Sequence, residues 1–340
     1  MVTLPSHSGL SSQESTSGAH LGLRRMSSPD AGAGSPPQDD HVPRGWKMRL
    51  EDPVSRYFRY PIAKLIVRGL VRTPITPNQV TLVQPLLAAS AGYLITSDTW
   101  WKIALAAAIF EFRSILDCAD GTLARAKKLS SPWGHAIDGI ADWLSVICLY
   151  AGIFRHFQLH PPSAPWGASA INGIVLLALF QGAVRSFSSD YYKLKYVSIF
   201  ERGSDETASS LREKIAALSP RSGLFAHIEV FIGRMGHLAF EHAWFDPKRS
   251  RTSTTDEQVV ELRRNEHSSM TKLIALLWSF SNGDTFITLV CLSAVCGKLW
   301  EAQVFFASFG LLWIASVILL NGWFIRSASR RGSLAEAPAE

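Results

Sequence analysis

Long apolar stretches alternate with short polar connections along most of this 340-residue chain. Six of these stretches approach the roughly 20 apolar residues that a membrane-spanning helix needs. The second and third are shortened or interrupted by acidic residues, which is typical of helices that line a polar cavity. The pattern predicts an all-α, polytopic membrane protein with six transmembrane helices, at 79–97, 100–117, 136–157, 166–187, 272–296 and 301–325.

A different pattern precedes the first predicted span. Residues 55–72 alternate apolar side chains with Arg59, Lys64, Arg68 and Arg72, which is typical of a helix that lies in the lipid headgroup layer. We therefore predict an N-terminal interfacial amphipathic helix, with a solvated cytoplasmic helix as the alternative.

The amino-acid composition distinguishes the other regions of the chain. Residues 1–45 are rich in Ser, Gly, Pro and His and poor in large apolar side chains, so we expect a disordered tail. Within the later polar insertion, 224–240 is apolar on one face and fits a small subdomain core, an interfacial helix or a docking surface. The remaining regions are an interfacial and juxtamembrane region at 46–78, four spans at 79–187, a long polar cytoplasmic insertion at 188–270, two spans at 271–326 and a C-terminal tail at 327–340.

The distribution of charge predicts the orientation. The chain is 47% hydrophobic and 18% charged, with a formal net charge of +6. Lys and Arg near the ends of spans are retained in the cytoplasm, and here they crowd before the first span, between the second and third, and after the last. The opposite connections hold far fewer, among them Arg155 and Lys298. We predict an integral protein of the cytoplasmic or inner membrane, with both termini and the second connection in the cytoplasm.

Four acidic residues, which we call the aspartate cluster, flank that second connection: Asp117, Asp120, Asp138 and Asp142. Positions three and four apart share one face of a helix, so each pair lines a stripe at the end of its own span. An ionised side chain at membrane depth costs at least about 2.5 kcal/mol. Four carboxylates on one small volume would therefore need cations, a water-filled cavity or both.

The residue types in this region favour a hard divalent cation. Carboxylate oxygens without Cys or His suit Mg²⁺ or Mn²⁺ rather than zinc, and two ions can stabilise the entering and departing oxygens of a phosphoryl displacement. Gly121 and Ala124 leave room for a flat base or a diphosphate, and Gly134 allows a close approach. Arg125 adds a fixed cation at the mouth of the site.

The spacing of these residues resembles the signature of the CDP-alcohol phosphotransferases, the class I CDP-alcohol phosphatidyltransferase family. That signature reads DxxDGxxAR, eight residues, then GxxxDxxxD. The resemblance extends over roughly residues 50–327, but only the signature is specific. All eight signature positions match, at Asp117, Asp120, Gly121, Ala124, Arg125, Gly134, Asp138 and Asp142.

The resemblance implies transfer of the phosphoalcohol part of a CDP-alcohol to a second alcohol, with release of CMP, in phospholipid biosynthesis. It implies that Asp117, Asp120 and Asp138 hold the metal ions and that Asp142, also near a metal, acts as general base. It further implies lipid substrates, a homodimer and no nucleic-acid partner. The positions expected at the cytidine nucleotide are Gly121, Ala124, Arg125 and Gly134.

The identity of the two alcohols stays open. We expect CDP-diacylglycerol as donor and a small polar alcohol or alcohol phosphate as acceptor, and the alternative is CDP-choline or CDP-ethanolamine as donor to diacylglycerol. Arg185, Arg202 and Arg221 are candidates for an acceptor phosphate, although they also fit ordinary cytoplasmic basic residues. Two distant alternatives are an inactive membrane scaffold and a cation transporter, but polar breaks in a transporter would be spread over several central helices.

Overall fold

The computed structural model describes residues 45–129, 132–163, 167–217, 254–335 and five positions between 227 and 234. Every regular element within these residues is a helix, as the apolar pattern predicts. The predicted disordered tail, apart from residue 45, lies outside the described residues, as do most of 224–240 and the last five residues of the chain.

The described residues form eleven α-helices and two short π-helical segments. The π-helical segments are Ser55–Arg59, before α2, and Ser198–Arg202, after α6. In chain order the α-helices are α1 (Trp46–Arg49), α2 (Tyr60–Leu70), α3 (Pro77–Leu94), α4 (Trp100–Ala126), α5 (Pro132–Leu159), α6 (Ala168–Val197), α7 (Thr207–Ala217), α8 (Asp256–Arg264), α9 (Ser269–Phe280), α10 (Gly283–Val295) and α11 (Leu299–Ala335).

Three of the described helical stretches are long and apolar enough to cross a membrane: 137–159, 168–202 and 299–327. The pair formed by α9 and α10 counts as a fourth only as a broken span, because the two helices are bent by 50°. The prediction of six spans is therefore not confirmed. Helices do form at the first two predicted spans, but α4 carries six charged residues and α3 has amide side chains at Asn78, Gln79 and Gln84.

The amphipathic N-terminal region packs one side against α4 and exposes the other. Ala63 and Val67 of α2 are buried, whereas Lys64, Leu65 and Arg68 are exposed. Arg59 differs from the pattern, because the sequence assigns it to the polar face but only 1% of its surface is exposed. Its guanidinium is held inside the protein by acidic partners, as described below.

Two glycines allow α3 and α5 to pack with their backbones in contact. A Cβ placed on Gly92 would lie 3.0 Å from the carbonyl carbon of Cys148, and one placed on Gly152 would lie 2.7 Å from Cα of Gly92. Apolar side chains including Ala88, Phe110 and Ile153 fill the core around this contact. The close approach sets the position of α5, and with it the position of two of the four aspartates.

Helix α6 continues past residue 187, where the polar insertion was expected to begin, and reaches Val197. Lys195, in the last turn of α6, forms a fully buried ion pair with Asp205, with 3.1 Å between Nζ and Oδ2. Trp46 stacks on Phe200 at a centroid distance of 3.9 Å and donates its indole N–H to Glu266. The two contacts of Trp46 tie the start of the described chain to segments near both ends of the predicted insertion.

Candidate active site

Helix α4 presents its apolar face to α2 and α3 and its acidic face to α5. Ile115, Leu116, Ala119 and Leu123 pack with apolar residues of α2 and α3. The acidic residue nearest that interface, Asp120, is only 4% exposed. The fold therefore takes one carboxylate out of water and leaves the other three aspartates at the partly exposed side.

Two side chains of α3 hold the buried Asp120. Its Oδ2 accepts hydrogen bonds from Thr81 Oγ1 at 2.6 Å and from Gln84 Nε2 at 2.7 Å. Burial raises the pKa of the Asp120 carboxyl to about 6, although the Thr81 hydroxyl and the Gly121 backbone N–H lower it. Neither partner was predicted from the sequence. Two polar residues three positions apart on one face of an apolar helix could have indicated that this face contacts a polar group.

The aspartates of α4 and α5 are close enough to interact electrostatically. Asp117 interacts with Asp142 and Asp138, and Asp138 interacts with Asp120 and Asp142. The Asp142 side chain is 46% exposed, against 29% for that of Asp117. The four acids thus share one neighbourhood, with Asp120 at its buried end and Asp142 at its accessible end.

A buried arginine lies among these acids. Arg113, one turn before Asp117 on α4, is 6% exposed and donates a hydrogen bond from Nη2 to Asp142 Oδ1. The same nitrogen lies 3.6 Å from Asp117 Oδ1. Sequence reasoning missed Arg113, although an arginine inside a predicted span was itself a signal of an acidic partner.

The small signature residues leave space on α4 beside the acids. A Cβ placed on Gly121 would have only Arg125 Nη1 within 4 Å, at 3.6 Å. Arg125 is exposed and donates to the Thr122 hydroxyl at 3.3 Å. Ala124 is half-buried on the same helix, and Gly134 lies in the first turn of α5. The surface next to the aspartates is therefore open enough for a flat ligand.

The acidic residues fit a hard cation in donor chemistry but do not form a closed metal site. Asp117 Oδ1 and Asp138 Oδ1 are buried and accept no hydrogen bond, and carboxylate oxygens are the ligands that Mg²⁺ and Mn²⁺ prefer. Within the described residues, no three His, Cys, Asp or Glu side chains converge as metal ligands would. The orphaned oxygens are the feature that a bound cation would satisfy.

The basic residues suggested for an acceptor phosphate do not gather in the described part of the site. Arg185 is buried, donates to the Phe280 carbonyl oxygen at 2.7 Å and lies over the Phe286 ring. Arg202 pairs with Glu206 on the surface. Arg221 lies outside the described residues.

A second polar network borders the aspartate cluster. Arg59 binds Glu111 through Nε and Nη2, at 3.2 and 3.1 Å, and binds Asp284 through Nη1 at 2.8 Å. Asp284 also interacts with Arg113 and with Asp190, and Asp190 in turn interacts with Asp142. The region around the site therefore holds three further acids beyond the four signature residues, and Arg59 is paired with two of them.

Comparison with known proteins finds a family model that matches the part of the chain that holds the site. The model of the CDP-alcohol phosphatidyltransferase family matches residues 74–193. The chain is similar to ceramide phosphoethanolamine synthase of Drosophila melanogaster, with 32% identity over 157 residues, which are 39% of this chain and 39% of that protein.

Two microbial proteins, each called bifunctional IPC transferase and DIPP synthase, are also similar. The protein of Rubrobacter xylanophilus is 35% identical over 119 residues, which are 33% of this chain and 27% of that protein. The protein of Archaeoglobus fulgidus is 28% identical over 149 residues, which are 42% of this chain and 26% of that protein. The chain thus matches between 26% and 39% of the length of these three relatives.

Proposed function

We propose that this chain, whose residues 74–193 match the model of the CDP-alcohol phosphatidyltransferase family, transfers the phosphoalcohol part of a CDP-alcohol to the hydroxyl of a second alcohol and releases CMP. One observation carries the proposal: the aspartate cluster is brought together from α4 and α5 beside the open surface at Gly121. Members of the family are transferases that generally depend on a metal ion.

Each acidic residue has a role in this reaction. Asp117, Asp120 and Asp138 would hold one or two Mg²⁺ or Mn²⁺ ions, whose positive charge stabilises the diphosphate and the departing CMP. Asp142, whose side chain is more exposed than that of Asp117, takes the proton of the acceptor hydroxyl. The acceptor oxygen then forms a bond to the phosphorus of the phosphoalcohol as the bond from that phosphorus to the CMP oxygen breaks.

The small residues and Arg125 fit the nucleotide. Gly121, Ala124 and Gly134 carry little or no side chain, so a cytosine ring or ribose can lie against the backbone of α4 and α5. Arg125 is exposed at the end of α4, where its guanidinium can pair with a phosphate oxygen.

For the two alcohols, the first candidate is the one that the sequence favours. CDP-diacylglycerol would enter from the bilayer and donate its phosphatidyl group to a small polar alcohol or alcohol phosphate. Arg185, Arg202 and Arg221 stay candidates for an acceptor phosphate. For Arg185 this requires release of the hydrogen bond to Phe280.

The second candidate reverses the partners, with a soluble CDP-amino alcohol as donor and a lipid hydroxyl as acceptor. One of the most similar relatives is called ceramide phosphoethanolamine synthase. Asp190 adds negative charge near Asp142, whereas the charge of Asp284 is offset by its pair with Arg59. An additional acid near the site favours a cationic headgroup over a phosphate-bearing acceptor. The two observations support this order of partners.

The proposed surroundings of the enzyme follow from its charge and its family. We place the protein in the cytoplasmic or inner membrane, as a homodimer, with both termini and the aspartate cluster on the cytoplasmic side. The basic residues around α2, α4 and the end of α11 support this orientation.

One substrate panel tests the function and separates the two candidates. Purified protein in lipid vesicles receives CDP-diacylglycerol with inositol phosphate, glycerol 3-phosphate, serine, inositol or choline. Parallel reactions contain CDP-choline or CDP-ethanolamine with diacylglycerol or ceramide. Mass spectrometry identifies the lipid product, and we expect product and CMP in equal amounts from one of the two sets. No CMP from any pair, with protein that is folded and binds Mn²⁺, would contradict the proposal.

A further inference from the structure

We propose that Arg113 is a metal-exchangeable counter-ion of the aspartate cluster. In this role its guanidinium pairs with Asp142 and Asp117 before a divalent cation binds, and it gives up these carboxylates when the cation arrives. The inference rests on the proposed function only in taking the cluster as the metal site. It concerns the binding of the ion and not the transfer reaction.

The position of Arg113 makes it a competitor for the same oxygens. Its Nη2 donates to Asp142 Oδ1 and lies 3.6 Å from Asp117 Oδ1. Both residues belong to the signature, and a cation bound between α4 and α5 would draw on the same carboxylates. A guanidinium and a divalent cation a few ångströms apart repel each other strongly when both are largely removed from water.

The hydrogen bonds of Arg113 are incomplete in a way that fits a temporary partner. Its Nε is buried without a hydrogen-bond partner, and so is Asp117 Oδ1. An arginine that serves as a permanent partner of two acids normally uses its planar fork fully. The 3.6 Å separation from Asp117 is too long for a hydrogen bond.

Arg59 supplies the comparison within the same protein. It is also a buried arginine between two acids, but Nε, Nη1 and Nη2 all have partners, in Glu111, Asp284 and Thr288. Its acids lie outside the signature. Arg59 therefore has the bonding of a permanent structural ion pair, whereas Arg113 leaves one donor and one acceptor open.

Charge explains why the site would need such a residue. Four carboxylates close together repel one another, and one fixed positive charge reduces this repulsion while no metal is bound. Without this positive charge, Asp117 and Asp142 would destabilise the fold by their repulsion, or one of them would take up a proton. Arg113 thus keeps the cluster assembled in the absence of metal at the expense of metal affinity.

The test measures Mn²⁺ binding directly, without substrate. The full chain is purified in detergent, and the EPR signal of free Mn²⁺ gives the dissociation constant of the wild type, Arg113→Gln, Arg113→Lys and Arg59→Gln. Thermal unfolding with and without Mn²⁺ is recorded for each protein. Arg113→Lys keeps the charge, and Arg59→Gln removes an equally buried arginine outside the cluster.

We expect Arg113→Gln to bind Mn²⁺ about tenfold more tightly than the wild type, because a nearby positive charge is gone. Arg113→Lys should stay within about threefold of the wild type. Arg59→Gln should unfold at a lower temperature but bind Mn²⁺ with unchanged affinity. A folded Arg113→Gln protein with unchanged or weaker affinity overturns the proposal, as does an equal gain in Arg59→Gln.

Failure to fold is also decisive. An Arg113→Gln protein that is folded only with Mn²⁺ supports the inference, because the cation then replaces the guanidinium. A variant that is unfolded both with and without Mn²⁺ overturns it, because Arg113 then has a structural role that a metal ion cannot take over. Wild-type protein that binds Mn²⁺ but releases no CMP would contradict the proposed function and leave this inference in place.

Discussion

The close contact of α3 and α5 predicts that one added methyl group will damage the site from a distance. In Gly152→Ala the new Cβ would lie 2.7 Å from both Cα and the carbonyl carbon of Gly92. Carbon atoms in contact are normally at least about 3.5 Å apart, so the helices must separate by at least about 0.8 Å. The carbonyl oxygen of Gly92 would lie closer still, and all three atoms belong to the backbone, which no change of rotamer can move.

The size of the effect follows from this displacement. Inserting a methyl group into a closely packed interior typically destabilises by about 1–3 kcal/mol. Asp138 and Asp142 lie on the same helix as Gly152, and a misplacement of about 1 Å in a catalytic constellation can lower the rate about 100-fold. We therefore expect Gly152→Ala to unfold a few degrees earlier and to release CMP far more slowly than the wild type.

Thermal unfolding in detergent and CMP release measure the two effects on the same preparation. Gly173→Ala is the matched control, because a Cβ on that helical glycine meets nothing within 4 Å. It should keep the wild-type rate and gain up to about 1 kcal/mol from the better helix propensity of alanine. The reasoning is refuted if Gly152→Ala and Gly173→Ala behave alike in both assays.

Three further predictions concern buried polar contacts. Lys195→Met leaves the buried Asp205 without its cationic partner. We expect a loss of about 3–5 kcal/mol in the free energy of unfolding, measured by denaturant titration. An unchanged midpoint of this titration would contradict the prediction. Burial raises the pKa of Asp205, but Lys195, Thr207 and Thr254 outweigh this effect, so the pKa in the folded protein lies below the ordinary value of 3.8. The ionised Asp205 carboxylate therefore stabilises the fold above pH 3.8, and this contribution is lost as the pH falls through the pKa of the folded protein. The difference in unfolding temperature between the wild type and Asp205→Asn should accordingly shrink from pH 7 to about pH 3. Thr81→Val removes a hydrogen bond to Asp120 and should lower the free energy of unfolding by about 1.5–3 kcal/mol, whereas Thr81→Ser should restore it; equal stability of the two variants would speak against this contact.

The sequence was sufficient for the helical class and for the position of the acids. Fixed spacing identified the aspartate cluster because positions three and four apart share a helix face whatever the rest of the fold does. Amphipathic alternation likewise predicted α2. The family match at residues 74–193 confirms the resemblance that the signature suggested.

Contacts between distant segments of the chain could not be predicted from the sequence. Thr81, Gln84 and Arg113 look like isolated polar residues in apolar helices until packing brings them to Asp120 and Asp142. The same holds for Arg59, which pattern alone assigned to the headgroup layer but which binds Glu111 inside the protein. Helical periodicity identifies the face of a residue, not its tertiary partner.

The number of spans is not confirmed, for a related reason. The apolar stretch at 100–117 predicts a span, but α4 also carries Glu111 and Arg113, whose charges pair with Arg59 and Asp142 of neighbouring segments. A window of apolar residues cannot distinguish a helix that faces lipid from one that is shielded by its neighbours.

The most direct test of the account is CMP release by Asp142→Asn. Asparagine keeps the size of the side chain but cannot accept a proton as a carboxylate does, and Asp98→Asn, at an exposed position between α3 and α4, is the matched control. With the donor and acceptor that the wild type uses, we expect release to fall at least about 100-fold in Asp142→Asn and to stay unchanged in Asp98→Asn, with equal unfolding temperatures for the wild type and Asp98→Asn. Wild-type rates of CMP release from folded Asp142→Asn would contradict the assignment of this cluster as the catalytic centre.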